Sequence, residues 1–237
     1  MLPAGPWTPW CLLCGMSVHE IARALPDIAV LRDRCRALAM LDAIMKANRG
    51  SRRHRYDAHW RPGAELAVMD SGGGDEYSIV FDADGVFIRG FDHESPMNLY
   101  NDEALWPGLV DTLPEVFARY VTEPEFSIDG DGLLAATACL WRRTGDQQWQ
   151  TGDISFPDDG DDGANYLFDE LVRWSAGSYQ DWAEDYYGVP VDLAAVAQVY
   201  AMAPLTGQIV TTIKPGRALA DLAADIAEIG YPAAGHG

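Results

Sequence analysis

The strongest constraint in this chain is local. Residues 77–81 read Tyr-Ser-Ile-Val-Phe, residues 86–91 read Val-Phe-Ile-Arg-Gly-Phe, and Asp82-Ala83-Asp84-Gly85 stands between them. Two β-branched and aromatic runs around an Asp/Gly turn make a hairpin. A four-residue loop pairs Phe81 with Val86 and Ile79 with Ile88, whereas a two-residue Asp84-Gly85 loop pairs Phe81 with Ile88. Either register leaves Ile79, Phe81 and Ile88 on one face, which is assigned to the core.

More strands are expected around this hairpin. Residues 56–60 and 66–69 are short β-like runs separated by Arg61-Pro62-Gly63, and Ser71-Gly72-Gly73-Gly74-Asp75 is a flexible turn. That glycine run would need a helix immediately after it to cradle a phosphate, and a β-like run follows instead. Residues 133–141 are a strand candidate, with residues 149–156 returning antiparallel. Helices flank the strands. Ser17 caps a short one, and Pro26-Asp27 opens a longer one running to Gly50. In the longer helix Ile28, Leu31, Cys35, Leu38, Leu41 and Met45 form one apolar stripe at spacings of three and four. Residues 102–121 look helical with breaks at Pro107-Gly108 and Pro114. Later helices are expected through Leu167 and Leu171, from Ser178 through Tyr186, from Asp192 through Val199, and from Leu219 through Ile229. Residues 205–213 fit strand and helix equally. The fold class is α+β, a mainly antiparallel sheet with helices packed against it. No linker or repeat divides the chain, so residues 16–237 are expected to form a single domain, with residues 1–15 an extension outside it.

Charge narrows the partners. The formal net charge is −19, with nine Lys/Arg against five Asp/Glu in residues 1–60 and eight against 31 thereafter. A surface of that sign repels a phosphate backbone and attracts a basic protein. Nucleic acid is therefore not expected as a partner. The basic run Arg52, Arg53 and Arg55 is expected to face solvent or the protein's own acidic body. No apolar run is long enough to span a membrane. The four cysteines, Cys11, Cys14, Cys35 and Cys139, give no disulfide framework, which fits a reducing cytoplasm. Cys11 and Cys14 follow too little chain for a redox fold and lack the second ligand pair of a zinc site.

Two places could carry function. The first is Gly90-Phe91-Asp92-His93-Glu94-Ser95-Pro96, which crowds three metal-capable side chains. If the strand continued, Asp92 and Glu94 would leave one face and His93 the other, so they could not converge on one ion. Carboxylates at a strand end also accept backbone N–H groups, and Pro96 stops the ladder. The second is the acidic, aromatic helix bearing Tyr179, Asp181, Trp182, Asp185, Tyr186 and Tyr187. The stretch from Gly74 through the Gly-Phe-Asp-His-Glu-Ser string, together with this helix and the closing Glu228-Ile229-Gly230-Tyr231-Pro232, resembles a family of uncharacterised bacterial proteins. The resemblance implies a fold and a bacterial cytoplasmic setting, and no activity.

Other patterns fail on their own chemistry. His19-Glu20-Ile21-Ala22-Arg23 has an arginine where the zinc-protease helix needs its second histidine. The acidic turns at residues 129–132 and 158–163 lack the later glutamate of a calcium loop. There is no nucleophile elbow, dinucleotide fingerprint or P-loop. No catalytic residue, metal ligand or cofactor is assigned. The leading expectation is a non-enzymatic domain that binds a basic protein, as a toxin-neutralising immunity protein does. Its contacts would be Tyr179, Trp182, Asp185 and Tyr186, with Asp92, His93 and Glu94 as a second binding surface. The acidic loop at residues 158–162 would belong to the same face. The alternative is a divalent-metal-dependent hydrolase centred on Asp92, His93 and Glu94.

Overall fold

The structure, a computed structural model, describes residues 16–98, 104–128, 132–157 and 161–234. The predicted hairpin is its centre. Strands β3 (Glu76–Phe81) and β4 (Gly85–Phe91) pair antiparallel, with Phe81 opposite Val86 and Ile79 opposite Ile88. The four-residue loop is thus the register adopted. The Asp82 carboxylate closes the turn by accepting the N–H groups of Asp84 at 2.8 Å and Gly85 at 3.0 Å. Gly85 has φ +147°, and a Cβ there would meet the Arg142 carbonyl oxygen at 2.2 Å, so only glycine lets the next strand approach.

Strands β1 (His54–Arg61) and β2 (Ala64–Asp70) precede the hairpin and β5 (Ala138–Arg143) follows it, giving an all-antiparallel sheet in the order β1-β2-β3-β4-β5. Eight α-helices are described. They are α1 (Val18–Ala24), α2 (Ile28–Met45), α3 (Ala118–Val121), α4 (Ala164–Arg173), α5 (Ala176–Tyr187), α6 (Leu193–Tyr200), α7 (Gly207–Ile213) and α8 (Ala223–Ile229). The architecture is α+β, as the periodicities predict. No helix among the described residues is long and apolar enough to cross a membrane. Residues 1–15, with Cys11 and Cys14, lie outside the described residues.

Both faces of the hairpin are covered. One face carries Tyr77, Ile79, Phe81 and Ile88; Arg32 of α2 lies over the Phe81 ring at 5.1 Å, and Phe168 of α4 is 5.7 Å from Tyr77. The other carries Val80 and Phe87, and Phe87 meets Phe117 and Tyr120 at ring distances of 6.5 and 5.7 Å. Each large side chain so buried contributes about 1.5–3 kcal/mol. Every residue of β4 is buried, because the long excursion between β4 and β5 folds across this second face. Arg89 is buried there, and its guanidinium is shared between Glu76, Ser78 Oγ and the Ala135 carbonyl. A buried cation is tolerated only with such partners.

The basic run faces its own acidic body. Arg52 pairs with Asp225 at 2.6 Å, Arg53 with Glu170 at 4.0 Å, and Arg55 with Asp70 at 4.0 Å. Several expected elements shift. The strand predicted at residues 133–141 occupies Ala138–Arg143, with Leu134 held only by a bridge to Ser127. The predicted return strand is reduced to one bridge between Trp141 and Gln150. Among the described residues of the stretch expected to be helical, 104–121, only Ala118–Val121 are α-helical, after one 3-10 turn at Glu115–Phe117, because two prolines and Gly108 interrupt the hydrogen-bond ladder. Residues 205–213 resolve to helix α7, capped by Thr206, whose hydroxyl accepts from the Ile209 N–H. Helix α5 starts three residues earlier than expected, with Ser175 and not Ser178 as its cap.

Candidate functional site

Helices α4, α5 and α6 enclose a cleft of about 400 Å³. Glu170 of α4 lies at its base. Trp174 ends α4 in a left-handed conformation, φ 37°, which costs a non-glycine residue about 1 kcal/mol or more. That turn lays its indole flat on Tyr200 of α6, with ring centroids 4.0 Å apart and planes at 19°. Helix α5 supplies Tyr179, Trp182 and Asp185 at spacings of three, and Asp181 four residues before Asp185. Three of the four residues that the sequence nominates on this helix, Tyr179, Trp182 and Asp185, therefore line one cavity. The fourth, Tyr186, is 53% exposed and stacks on Trp182 at 5.1 Å just outside it.

The cleft is electrostatically asymmetric. Asp169 is paired with Arg173 within α4, whereas Asp181 and Asp185 are exposed and form no ion pair among the described residues. Tyr179 is buried, and its hydroxyl has no hydrogen-bond partner among the described residues. Burial pushes that phenol well above its ordinary value, so it stays protonated.

Beneath Glu170 lies a polar cluster that the sequence reading missed. Asp42 of α2 is fully buried. Its carboxylate accepts the His54 backbone N–H at 2.6 Å and the Tyr187 hydroxyl at 3.0 Å, and lies 3.3 Å from His54 Nδ1. His54 Nε2 is 2.8 Å from Glu170. Burial alone would depress the imidazole, but the charge of Glu170 and the contacts with Asp42 and Glu170 override it and hold its pKa at about 9. Burial would likewise raise the Glu170 carboxyl, and the charges of His54 and Arg53 instead hold it below the ordinary value. His54 is thus a cation and Glu170 an anion at neutral pH. The sequence signal was Asp42 itself, the one charged residue in the apolar run 37–45.

The Gly-Phe-Asp-His-Glu-Ser string is arranged differently from the strand-based expectation. The strand ends at Phe91 and a turn follows, so alternation no longer separates Asp92 from His93. The Asp92 carboxylate accepts the Glu94 N–H at 2.8 Å. His93 Nδ1 lies 2.6 Å from Asp75, the residue just before β3. Ligand atoms of Asp75, Asp92 and His93 fall within 4.8 Å of one another, a cluster that does not include the exposed Glu94. His93 is exposed, and its pairing with Asp75 ties this loop to the residue that precedes β3. Further hydrogen bonds clamp the same loop, from Asn98 to the His93 carbonyl at 2.7 Å and from Ser95 Oγ to the Asp161 carbonyl.

The acidic loop before α4 is not wholly a surface. Asp162 is buried, and its carboxylate accepts the Val18 N–H at 2.7 Å and the Ala164 N–H at 2.9 Å, capping α1 and α4 together. Residues 158–160 lie outside the described residues. The chain matches no protein-family model, no curated protein and no solved structure.

Proposed function

We propose that this is a non-enzymatic binding protein of the bacterial cytoplasm, whose α4–α6 cleft engages a basic protein partner. One observation carries the reading: a cleft of about 400 Å³ combines aromatic walls with the two unpaired carboxylates Asp181 and Asp185. Complementary charge steers such an encounter, and rigid aromatic side chains anchor it. The acidic balance beyond residue 60 supports the same partner class. An immunity protein that masks a basic toxin is a role of this kind.

The test is calorimetric titration with protamine, an arginine-rich polypeptide, at low and moderate salt. The Asp181→Asn/Asp185→Asn double variant should lose about tenfold or more in affinity, as two exposed charges at one contact can supply. Equal affinity of wild type and variant would assign the binding to bulk charge and refute the cleft.

A second reading has an observation of its own. The ligand atoms of Asp75, Asp92 and His93 lie within 4.8 Å of one another, which supports a metal-dependent hydrolase reading with Asp75 in the part that the sequence reading gave to Glu94. Its test is the melting temperature with and without added manganese or zinc. A shift absent from the Asp75→Asn variant supports it, and no shift with either metal removes it.

A further inference from the structure

Resting on the basic-partner reading above, we infer that the cleft between α4, α5 and α6 takes a single guanidinium group, the side chain of an arginine on the partner. The walls come first. Trp174, Trp182 and Tyr200 line a cavity in which Asp181 and Asp185 are the carboxylates without an ion-pair partner among the described residues. An ammonium is a compact, strongly hydrated charge and gives up its water reluctantly. A guanidinium is flat and weakly hydrated, stacks on indole, and presents paired N–H groups to a carboxylate.

The protein makes such contacts within itself beside the same cleft. The Arg34 guanidinium lies over the Trp174 ring at 5.1 Å, and that of Arg53 over Trp182 at 5.7 Å. Trp174 is thus engaged by Arg34 and Tyr200, and Trp182 by Arg53 and Tyr186, so the charge of an incoming group is met by Asp181 and Asp185. The third element is Tyr179, which lines the cavity with a buried hydroxyl that lacks a hydrogen-bond partner among the described residues. A buried hydroxyl left unsatisfied is costly. A guanidinium carries five N–H donors and can supply one to this oxygen, whereas a quaternary ammonium carries none. The ligand chemistry that fits is thus charged, planar and rich in donors.

The cleft also has room for one such group and the alkyl stem behind it, at about 400 Å³. Asp181 and Asp185 are four residues apart on α5, so they meet the same ligand from one side of the helix. Glu170 at the base faces the cavity while His54 and Arg53 balance its charge from behind. Selectivity for the incoming cation then falls on Asp181, Asp185 and the aromatic walls.

The experiment uses three capped pentapeptides, Ala-Gly-X-Gly-Ala, with X arginine, lysine or citrulline, titrated against the full chain by tryptophan fluorescence and NMR. Citrulline keeps the shape and removes the charge. The expected result is saturable binding of the arginine peptide, at least tenfold weaker binding of the lysine and citrulline peptides, and a loss of about tenfold in the exposed-site variant Asp185→Asn. Equal affinity for arginine and lysine overturns the inference, and so does equal affinity for citrulline. Protamine binding that depends on Asp181 and Asp185, with no binding of the arginine peptide at millimolar concentration, overturns the guanidinium pocket and leaves the basic-partner reading standing. Failure of both ligands removes both.

Discussion

Replacing His54 with glutamine should remove about 3 kcal/mol of the stability that this protein loses between about pH 6.5 and pH 9. The imidazole titrates near its ordinary value of 6.5 in the unfolded chain and at about 9 in the folded one. Between those values the unfolded state has released its proton and the native state still holds it. Stability then falls as pH rises, by about 1.4 kcal/mol per pH unit. The contribution is complete below pH 6.5 and gone above pH 9, an integrated loss of about 3 kcal/mol. Urea unfolding followed by fluorescence at half-unit pH intervals measures it for wild type and His54→Gln. His93 is also held above its ordinary value by Asp75, and burial raises both Cys35 and Cys139, so these groups add slopes of the same sign. They are common to both proteins and cancel in the difference. Glu170→Gln provides the companion measurement, because it removes the charge 2.8 Å from Nε2 and should shorten the window from its alkaline end. Parallel pH profiles for wild type, His54→Gln and Glu170→Gln would refute the buried ion cluster as the origin of the slope.

Three other outcomes follow from the packing. Gly163→Ala should cost on the order of 2–4 kcal/mol, because φ is +73° and the added Cβ would lie 2.3 Å from Asp92 Cβ; an unchanged urea midpoint refutes this. Asp162→Asn should cost about 1 kcal/mol and Asp162→Ala about 2 kcal/mol or more, since the amide retains one of the two caps and alanine neither; equal losses in thermal unfolding would contradict the double-cap account. Cys35 and Cys139, both buried, with Cys139 pushed up to about 12, should resist iodoacetamide at pH 8 in the native protein and label fully in urea; peptide mapping that finds native labelling at either position is the contrary result.

The parts of the fold legible in the sequence are those fixed by neighbours along the chain. The hairpin and its core face at Ile79, Phe81 and Ile88 are legible because either register keeps those residues together, and the Asp82 bonds to Asp84 and Gly85 then select the four-residue loop. Of the predicted α2 stripe, Leu31, Cys35, Leu38, Leu41 and Met45 are buried and Ile28 is half-buried, while residues 37–45 are buried on every side of the helix. Tyr179, Trp182 and Asp185 share a cleft because one helix carries them. The illegible parts depend on distant partners. His54 gains its charge from Asp42 and Glu170, which belong to two separate helices, and no local pattern brings them together. Asp75 meets His93 only because β3 and β4 lie side by side and the strand stops at Phe91. Full burial of β4 depends on Phe117 and Tyr120, which reach Phe87 from about thirty residues further along the chain.

The sequential order of the sheet has a kinetic consequence. Strands β1 to β4 are joined by tight turns, so each pairing closes only a short loop and can form early. Strand β5 joins β4 only after the excursion that covers Phe87, and loop closure of that length is slower. Refolding should therefore show amides of Val80 and Phe87, which bond to each other within the hairpin, gaining exchange protection ahead of Leu140, with Arg89 the last large side chain to leave water.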